Sequence, residues 1–518
     1  MNKERIDNTA FPIAFIPVAC VIVFYAVPLA AAMLPAFSRF APFSFSKLYE
    51  NSALSHTVIW TFKQAFLSTL LSLVIALPGA WFLSRSHTGK KNFCAAVLRA
   101  FVIVPFAMPP ILVVLGFVLF FGNHGVLNTL LPKPIDILYK PHAIILSHAF
   151  YNFPIVLSLC ADSFAIARKK YAAVAADLGA TPFDAFRTVI LPLAAPAMAA
   201  SMCLVFLYCF TSFALVLVLG GGPSTSTLAV EIYRYARIRV DFTSAAVLSC
   251  VETAVCLSVF CLYSYFKRKI QVNDDQDAGI PLNIRRKTIL SALLWGIYTI
   301  IAVILVICPI LSVIFDSFSS LSAWKEASGA IKPLLRSCLL AITSASLSCL
   351  LAMCALSAKY RVTLMLPISS SGIVLSFGYI IMFGMQERSF ALNFALLSVI
   401  HAVLTLPFTY SAIKSGFDGL NQHVLHAAAD LGAGPLVRFF SVTAPLCRTQ
   451  IASAHRIAAA MSIGELNVVL MLGIKNFETL PVYIYRAFSS YHFATASAAG
   501  TMLLLLVLII GCMGCKKF

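Results

Sequence analysis

Charge is what this sequence has least of. Of 518 residues only 11% are Asp, Glu, Lys or Arg, whereas 60% are hydrophobic, and the mean hydropathy is +0.91. A soluble globular domain carries roughly a quarter of its residues as charges, so a water-soluble fold is excluded. The polar stretches never exceed roughly 25 residues, too short for an independent soluble domain. No G-x-x-x-x-G-K-[ST] loop occurs; Gly220-Gly221-Gly222-Pro223 lacks the Lys-Ser/Thr that would follow in a phosphate cradle. The loops hold no cluster of His, Asp and Glu, which removes the usual equipment of a membrane enzyme. Nearly all of the fifteen cysteines lie inside apolar runs, where cysteine acts as a small hydrophobe. The one close pair, Cys512 and Cys515, has no second pair to complete a metal site. His148 and His401 supply one imidazole each and no ligand set, so no metal is expected.

What remains is a series of apolar runs of helix length. About twelve read as membrane spans on the criterion of roughly 20 apolar residues each. They lie at roughly 11–37, 56–84, 94–121, 142–166, 193–219 and 241–266, then 288–315, 334–357, 364–385, 390–414, 447–472 and 492–514. A membrane barrel would show short alternating segments instead, so the fold class is an all-α polytopic membrane protein. The first run is too long for a removed signal peptide and lacks a small-residue cleavage site; it is expected to be retained.

The net charge is +18, which in a soluble chain would suggest nucleic acid. Here the cations fall in alternate loops: Arg85 with Lys90 and Lys91, Arg168-Lys169-Lys170 with Arg187, Lys267-Arg268-Lys269 with Arg285-Arg286-Lys287, Lys359 with Arg361, Arg438 with Arg448, and Lys516-Lys517. The positive-inside rule makes that side the cytoplasm and puts both termini there. Arg234, Arg237 and Arg239 fall outside, and Glu231 with Arg234 reads as an external gate region. No nucleic-acid partner is expected; membrane lipid surrounds the chain.

The chain also repeats itself. Asp177-Leu178-Gly179-Ala180 returns as Asp430-Leu431-Gly432-Ala433, an offset of 253 residues that also carries His148 onto His401, Pro154 onto Pro407 and Pro192 onto Pro445. Two copies of one unit in the same direction, each with an even number of spans, are parallel repeats related by an axis along the membrane normal. The expected division is 1–266 and 288–518 as two transmembrane units, joined by a cytoplasmic linker at 267–287.

The repeated loop falls between the fourth and fifth spans of each half. Ala172, Ala173, Ala175, Asp177 and Leu178 lie on a strong helix-forming stretch that Gly179 should end. Thr181-Pro182 starts a second short helix as N-cap and N1, and Pro192 is expected to break it at the membrane. The second copy offers His426, Ala427, Ala428, Asp430, Leu431, Gly432 and Pro445. A small, smooth helical face presented twice suits a two-fold partner.

This loop resembles the E-A-A-x-x-x-G motif, followed by L-P, of permease subunits of binding-protein-dependent ABC importers. Ala173 and His426 stand where that family has its glutamate, and Ala444-Pro445 replaces Leu-Pro in the second copy. The resemblance implies two six-helix type I importer repeats, each with a coupling helix seated on one of two ATPase copies. It also implies an extracytoplasmic solute-binding protein, a bacterial inner-membrane location, and ATP and Mg bound by the ATPase; this chain itself carries no catalytic residue and no cofactor. Over almost its whole length the chain is similar to fused permeases of the thiamine and ferric-iron type. The stretches Gln64-Ala65-Phe66-Leu67-Ser68, Cys209-Phe210, Ser212-Phe213-Ala214, Leu219-Gly220-Gly221-Gly222-Pro223, Ser462-Ile463-Gly464-Glu465 and Thr479-Leu480-Pro481 look like the thiamine type. A thiamine-like solute, or its phosphates, is therefore expected, with ferric iron or another small solute as the alternative.

Ionisable groups inside a membrane are costly and mark pathways. Glu465, whose counterpart at the same offset is Ser212, is the leading candidate. Ser462, Asn467, Tyr208 and Thr211 are expected beside it, forming an anion with aromatic neighbours suited to a cationic ring. A plain interhelical hydrogen bond is the alternative for Glu465. Asp162, Glu252 and Asp316 are weaker candidates, each expected near a helix end.

Overall fold

The computed structural model describes residues 11–37, 52–85, 108–220, 222–271, 289–356, 361–385, 389–474 and 477–512. Lys90, Lys91, Gly221, Arg285 to Lys287, Lys359, Cys515 and Lys516-Lys517 lie outside them, as does most of the expected linker. All regular structure in the described residues is helical. In the first half, α1 (Phe15–Phe37) and α2 (Ser52–Arg85) are followed by α3 (Pro110–Phe121) and α4 (Pro141–Asp177). Then come α5 (Leu191–Phe210), α6 (Ala214–Leu219), α7 (Leu228–Tyr233) and α8 (Phe242–Gln271). The second half repeats the order with α9 (Ile289–Ser317), α10 (Ile331–Cys354), α11 (Gly372–Phe383) and α12 (Phe390–Asp418). It continues with α13 (Gln422–Asp430), α14 (Arg448–Ile463), α15 (Asn467–Leu472), α16 (Leu480–Ser489) and α17 (Phe493–Cys512).

Ten of the described helices are long and apolar enough to cross a membrane. An eleventh is the pair Val362–Ser369 and Gly372–Phe383, bent by 95°. Exposed Ile59, Phe62, Phe66, Leu70 and Val74 recur every three or four residues along α2, an apolar stripe of the kind that faces lipid. The fifth run of each half, expected as one span, is two helices. The first-half run breaks at 211–213, between α5 and α6, and the second at 464–466, between α14 and α15. With only 16 residues, α14 is too short to count as a span by itself. The third run of the first half is described from Met108 onward, with its helix beginning at Pro110. At the linker boundary, α8 continues as helix through Lys267 to Gln271.

Each half completes its core with the first helix of the other. Val18, Val21 and Tyr25 of α1 belong to the core cluster built from α10, α11 and α12. Tyr25 Oη donates to the Leu366 carbonyl and Tyr379 Oη to the Phe24 carbonyl, both at 2.9 Å. In return α9 packs on α3 and α17, and Tyr298 Oη donates to the Ile75 carbonyl at 2.9 Å. Glycines permit the close approach. A Cβ on Gly116 of α3 would lie 2.6 Å from the carbonyl oxygen of Pro309 in α9, and one on Gly378 of α11 would overlap the carbonyl of Pro28 in α1.

Candidate translocation path and coupling surface

The paired breaks create the site. Helix α5 ends at Phe210, with Thr211 Oγ1 donating back to the Leu207 carbonyl at 2.8 Å. Helix α14 ends at Ile463, and Glu465 Oε2 accepts the Val468 N–H at 2.9 Å, capping α15. Three consecutive residues in each half thus leave the helical path within the interior. They meet at a cavity of about 270 Å³ between the halves, near the lower bound of ligand pockets at roughly 300 Å³.

Five of the six residues expected on the path line this cavity: Tyr208, Thr211, Ser212, Glu465 and Asn467. Ser462 is turned away from it. Three residues before Glu465 on a helix, it faces the second-half interior, 2.8 Å from His401 Nδ1, and accepts from Ser344 Oγ at 2.8 Å. Sequence reading missed that one face of α4 supplies His148, Tyr151 and Asn152. The signal was the i, i+4 spacing of His148 and Asn152 in an apolar run. His148 Nδ1 lies 3.1 Å from Gln64 Oε1, and Asn152 Nδ2 donates to the His148 carbonyl at 2.9 Å. His148 Nε2 and Asn152 Oδ1 are buried and have no partner. Two tyrosines, one carboxylate and these two free polar atoms surround the space, and among the described residues no Lys or Arg lines it. A larger open depression of about 400 Å³ on α5, lined by residues such as Leu191, Met198 and Met202, is wholly apolar.

The three weaker acidic candidates separate. Asp162 is exposed within α4, and Asp316 near the end of α9 accepts from Ser497 Oγ at 2.5 Å. Glu252 is not near a helix end: it sits mid-way along α8, fully buried. Next to α7, in the region expected to form an external gate, Ser226 and Arg234 both bond Glu231 Oε1, at 2.6 and 2.8 Å. In the second half Arg486 pairs with Glu478 at 3.1 Å. With the one-residue slip of the repeat, Glu478 stands in the place of Ser226 and Arg486 in that of Arg234. The carboxylate has changed position and the arginine has kept a partner.

The two repeated loops share one backbone. Gly179 has φ +84° and Gly432 φ +83°, the left-handed conformation that ends a helix and favours glycine. Ala180 N–H donates to the Ala175 carbonyl at 2.9 Å, and Ala433 N–H to that of Ala428 at 3.0 Å. Beyond the turn, Thr181 accepts from the Asp184 N–H at 3.2 Å while Asp184 Oδ2 accepts from Thr181 N–H at 3.3 Å, a capping box. The first docking helix is the end of α4, which runs unbroken from the interior to Asp177, whereas in the second half Gly419 to Asn421 divide α12 from α13. One expectation changes. Pro192 does not break the segment. A π turn at Phe186–Ile190 widens the helix immediately before it, and Phe439–Thr443 does the same before Pro445; the wider turn accommodates a residue without an N–H. Asp177, Asp430, His426 and Ala427 are exposed, and Ala175 is buried. Leu178 and Leu431 are 83% and 88% exposed, apolar side chains left uncovered by the described residues.

Residues 86–272 match the family of the binding-protein-dependent transport system inner membrane component. The molybdenum transport system permease protein ModB of Azotobacter vinelandii is 33% identical over 180 residues, which is 33% of this chain and 76% of that protein. The chain is an ABC importer permease. Its similarity to longer relatives runs almost end to end, which makes it a permease of the fused, double-domain type. The thiamine transport system permease protein ThiP of Haemophilus influenzae is 25% identical over 488 residues, 88% of each chain. ThiP of Escherichia coli is 25% identical over 484 residues, 89% of each chain. As a permease subunit this importer component is a multi-pass membrane protein that works with an ATPase and a solute-binding protein, and it is not an enzyme.

Proposed function

We propose that this permease moves thiamine, or its phosphates, from an extracytoplasmic binding protein into the cytoplasm by alternating access. The observation that carries the reading is similarity to thiamine permeases over nearly nine-tenths of both chains. The cavity supports it: Glu465 offers an anion and Tyr151 and Tyr208 offer ring faces, which suits a cationic aromatic solute. Thr211, Ser212 and Asn467 would orient the solute, and Ser462 would hold the wall through His401.

The units 1–266 and 288–518, joined by 267–287, would rock against each other around this point. Each repeated loop would seat on one of two ATPase copies, with Ala172 to Gly179 and Pro192 in the first and His426 to Gly432 and Pro445 in the second. Both termini would lie in the cytoplasm, and ATP and Mg would be bound by the ATPase alone. Uptake of labelled thiamine by a strain lacking this gene tests the reading. Loss of thiamine uptake with ferric uptake intact supports it; unchanged thiamine uptake with loss of ferric uptake gives the site to iron.

A further inference from the structure

A second cluster of buried polar side chains lies beside the path. Glu252 of α8 is fully buried, and neither carboxylate oxygen has a hydrogen-bond partner. It is ten residues into its helix, about 15 Å from the outer end at 1.5 Å per residue, and so at mid-membrane depth. Opposite it is the 95° bend of the third span of the second half, where Ser370 and Ser371 are extended rather than helical. The Ser371 side chain faces Glu252 and the buried Ser370 side chain faces Tyr25, in both cases without a bond of normal geometry. Tyr25 of α1 closes one side, 3.3 Å from Ser369 Oγ. Cys256, one turn along α8, faces both Glu252 and Tyr25.

The elements packed on α8 bring no counter-charge to this depth. Helix α5 contributes only Cys203, Tyr208 and Cys209 as titratable groups, and the tail of α1 and the turn Leu366–Ser369 contribute none. Helix α7 brings Tyr233 and Glu231, which is committed to Ser226 and Arg234. Arg234, Tyr235, Arg237 and Arg239 belong to the turn at the outer end of α8. A carboxylate left alone in such a place costs several kcal/mol. Unwound backbone flanked by hydroxyls and a carboxylate is the arrangement in which membrane transporters hold small cations.

We propose that this cluster is a site for one small positive charge, a monovalent cation such as Na⁺ or a proton, held by Glu252 with the Ser370 and Ser371 hydroxyls. The site adjoins the path: Gly372 follows Ser371, and a Cβ placed on it would be 3.4 Å from Glu465 Oε1. Filling it fixes the bend that forms part of the Glu465 surroundings.

The test is thermal unfolding of the permease with its ATPase in lipid nanodiscs, for wild type, Glu252→Gln and Ser370→Ala. NaCl is exchanged against choline chloride at constant ionic strength, and separately the pH is varied. A bound Na⁺ gives a saturable rise in the wild-type midpoint that is absent in Glu252→Gln and needs more Na⁺ in Ser370→Ala. A bound proton gives no Na⁺ response but a wild-type midpoint that gains on Glu252→Gln as the pH is lowered. Wild type and Glu252→Gln moving in parallel through both titrations overturns the proposal. Should Glu252→Gln not assemble, Glu252→Met, which also lacks the carboxylate, replaces it, with the same parallel behaviour as the refuting result.

Discussion

Gly378→Ala probes the exchange of first helices between the halves. The position a Cβ would take is filled by the Pro28 carbonyl, a backbone group in the middle of α1 that no rotamer change can clear. Overpacking of this kind costs about 1–3 kcal/mol. Alanine regains about 0.5–1 kcal/mol as a better helix former than glycine, which leaves a net loss of up to about 2.5 kcal/mol. Gly116→Ala meets Pro309 in the same way and should behave alike. Gly296 in α9 has nothing within 4 Å of its Cβ position, so Gly296→Ala keeps only the helix gain. The assay is the unfolding midpoint of purified permease in detergent, with protease sensitivity of α1 as a second readout. Lower midpoints for Gly378→Ala and Gly116→Ala, against an equal or higher one for Gly296→Ala, support the packing. All three variants matching or exceeding wild type would refute it.

Leu178→Asp and Leu431→Asp remove side chains that are exposed among the described residues, so insertion should be normal while co-purification of the ATPase falls; full recovery of the ATPase with the double variant contradicts the coupling surface. Gly432→Val should cost at least about 1–2 kcal/mol locally, because a side chain resists the left-handed turn, and should lower uptake more than expression in a vesicle assay. Burial pushes the Glu478 carboxyl above its ordinary value, while Arg486 and Arg336 pull it back. With a raised folded pKa the charged form is the penalised one, so wild type should lose stability relative to Glu478→Gln as pH rises through that value, the two converging below about pH 4.3. Unfolding midpoints across pH check this, and a gap that widens towards acid is the wrong sign.

Much of the site was legible because the repeat aligns its parts. The single offset pairs Ser212 with Glu465, and the two helix breaks fall on those residues. Gly179 and Gly432 announced their turns, since a glycine after an alanine-rich helix is the usual chain reversal. The breaks themselves were hidden. The apolar run resumes immediately after Thr211 and Ser212 with no proline between, and hydropathy does not register a lost backbone turn. Ser462 was placed on the path by proximity in sequence, although three residues along a helix can face a different neighbour. Glu252 was assigned to a helix end because burial of an unpaired carboxylate cannot be read from a local window. The exchange of α1 and α9 left no local signal either, as it depends on Gly378 meeting Pro28 from a distant part of the chain.

ATP-dependent accumulation of labelled thiamine in vesicles that contain this permease, its ATPase and its binding protein tests the central claim most directly. The account predicts accumulation with wild type and a marked fall with Glu465→Gln, which keeps the size and hydrogen bonding but loses the charge, while the ATPase remains assembled. Wild-type vesicles that accumulate no thiamine but take up ferric iron would contradict the solute assignment. Thiamine uptake undiminished in Glu465→Gln would leave Glu465 only its bond to Val468 and contradict the path.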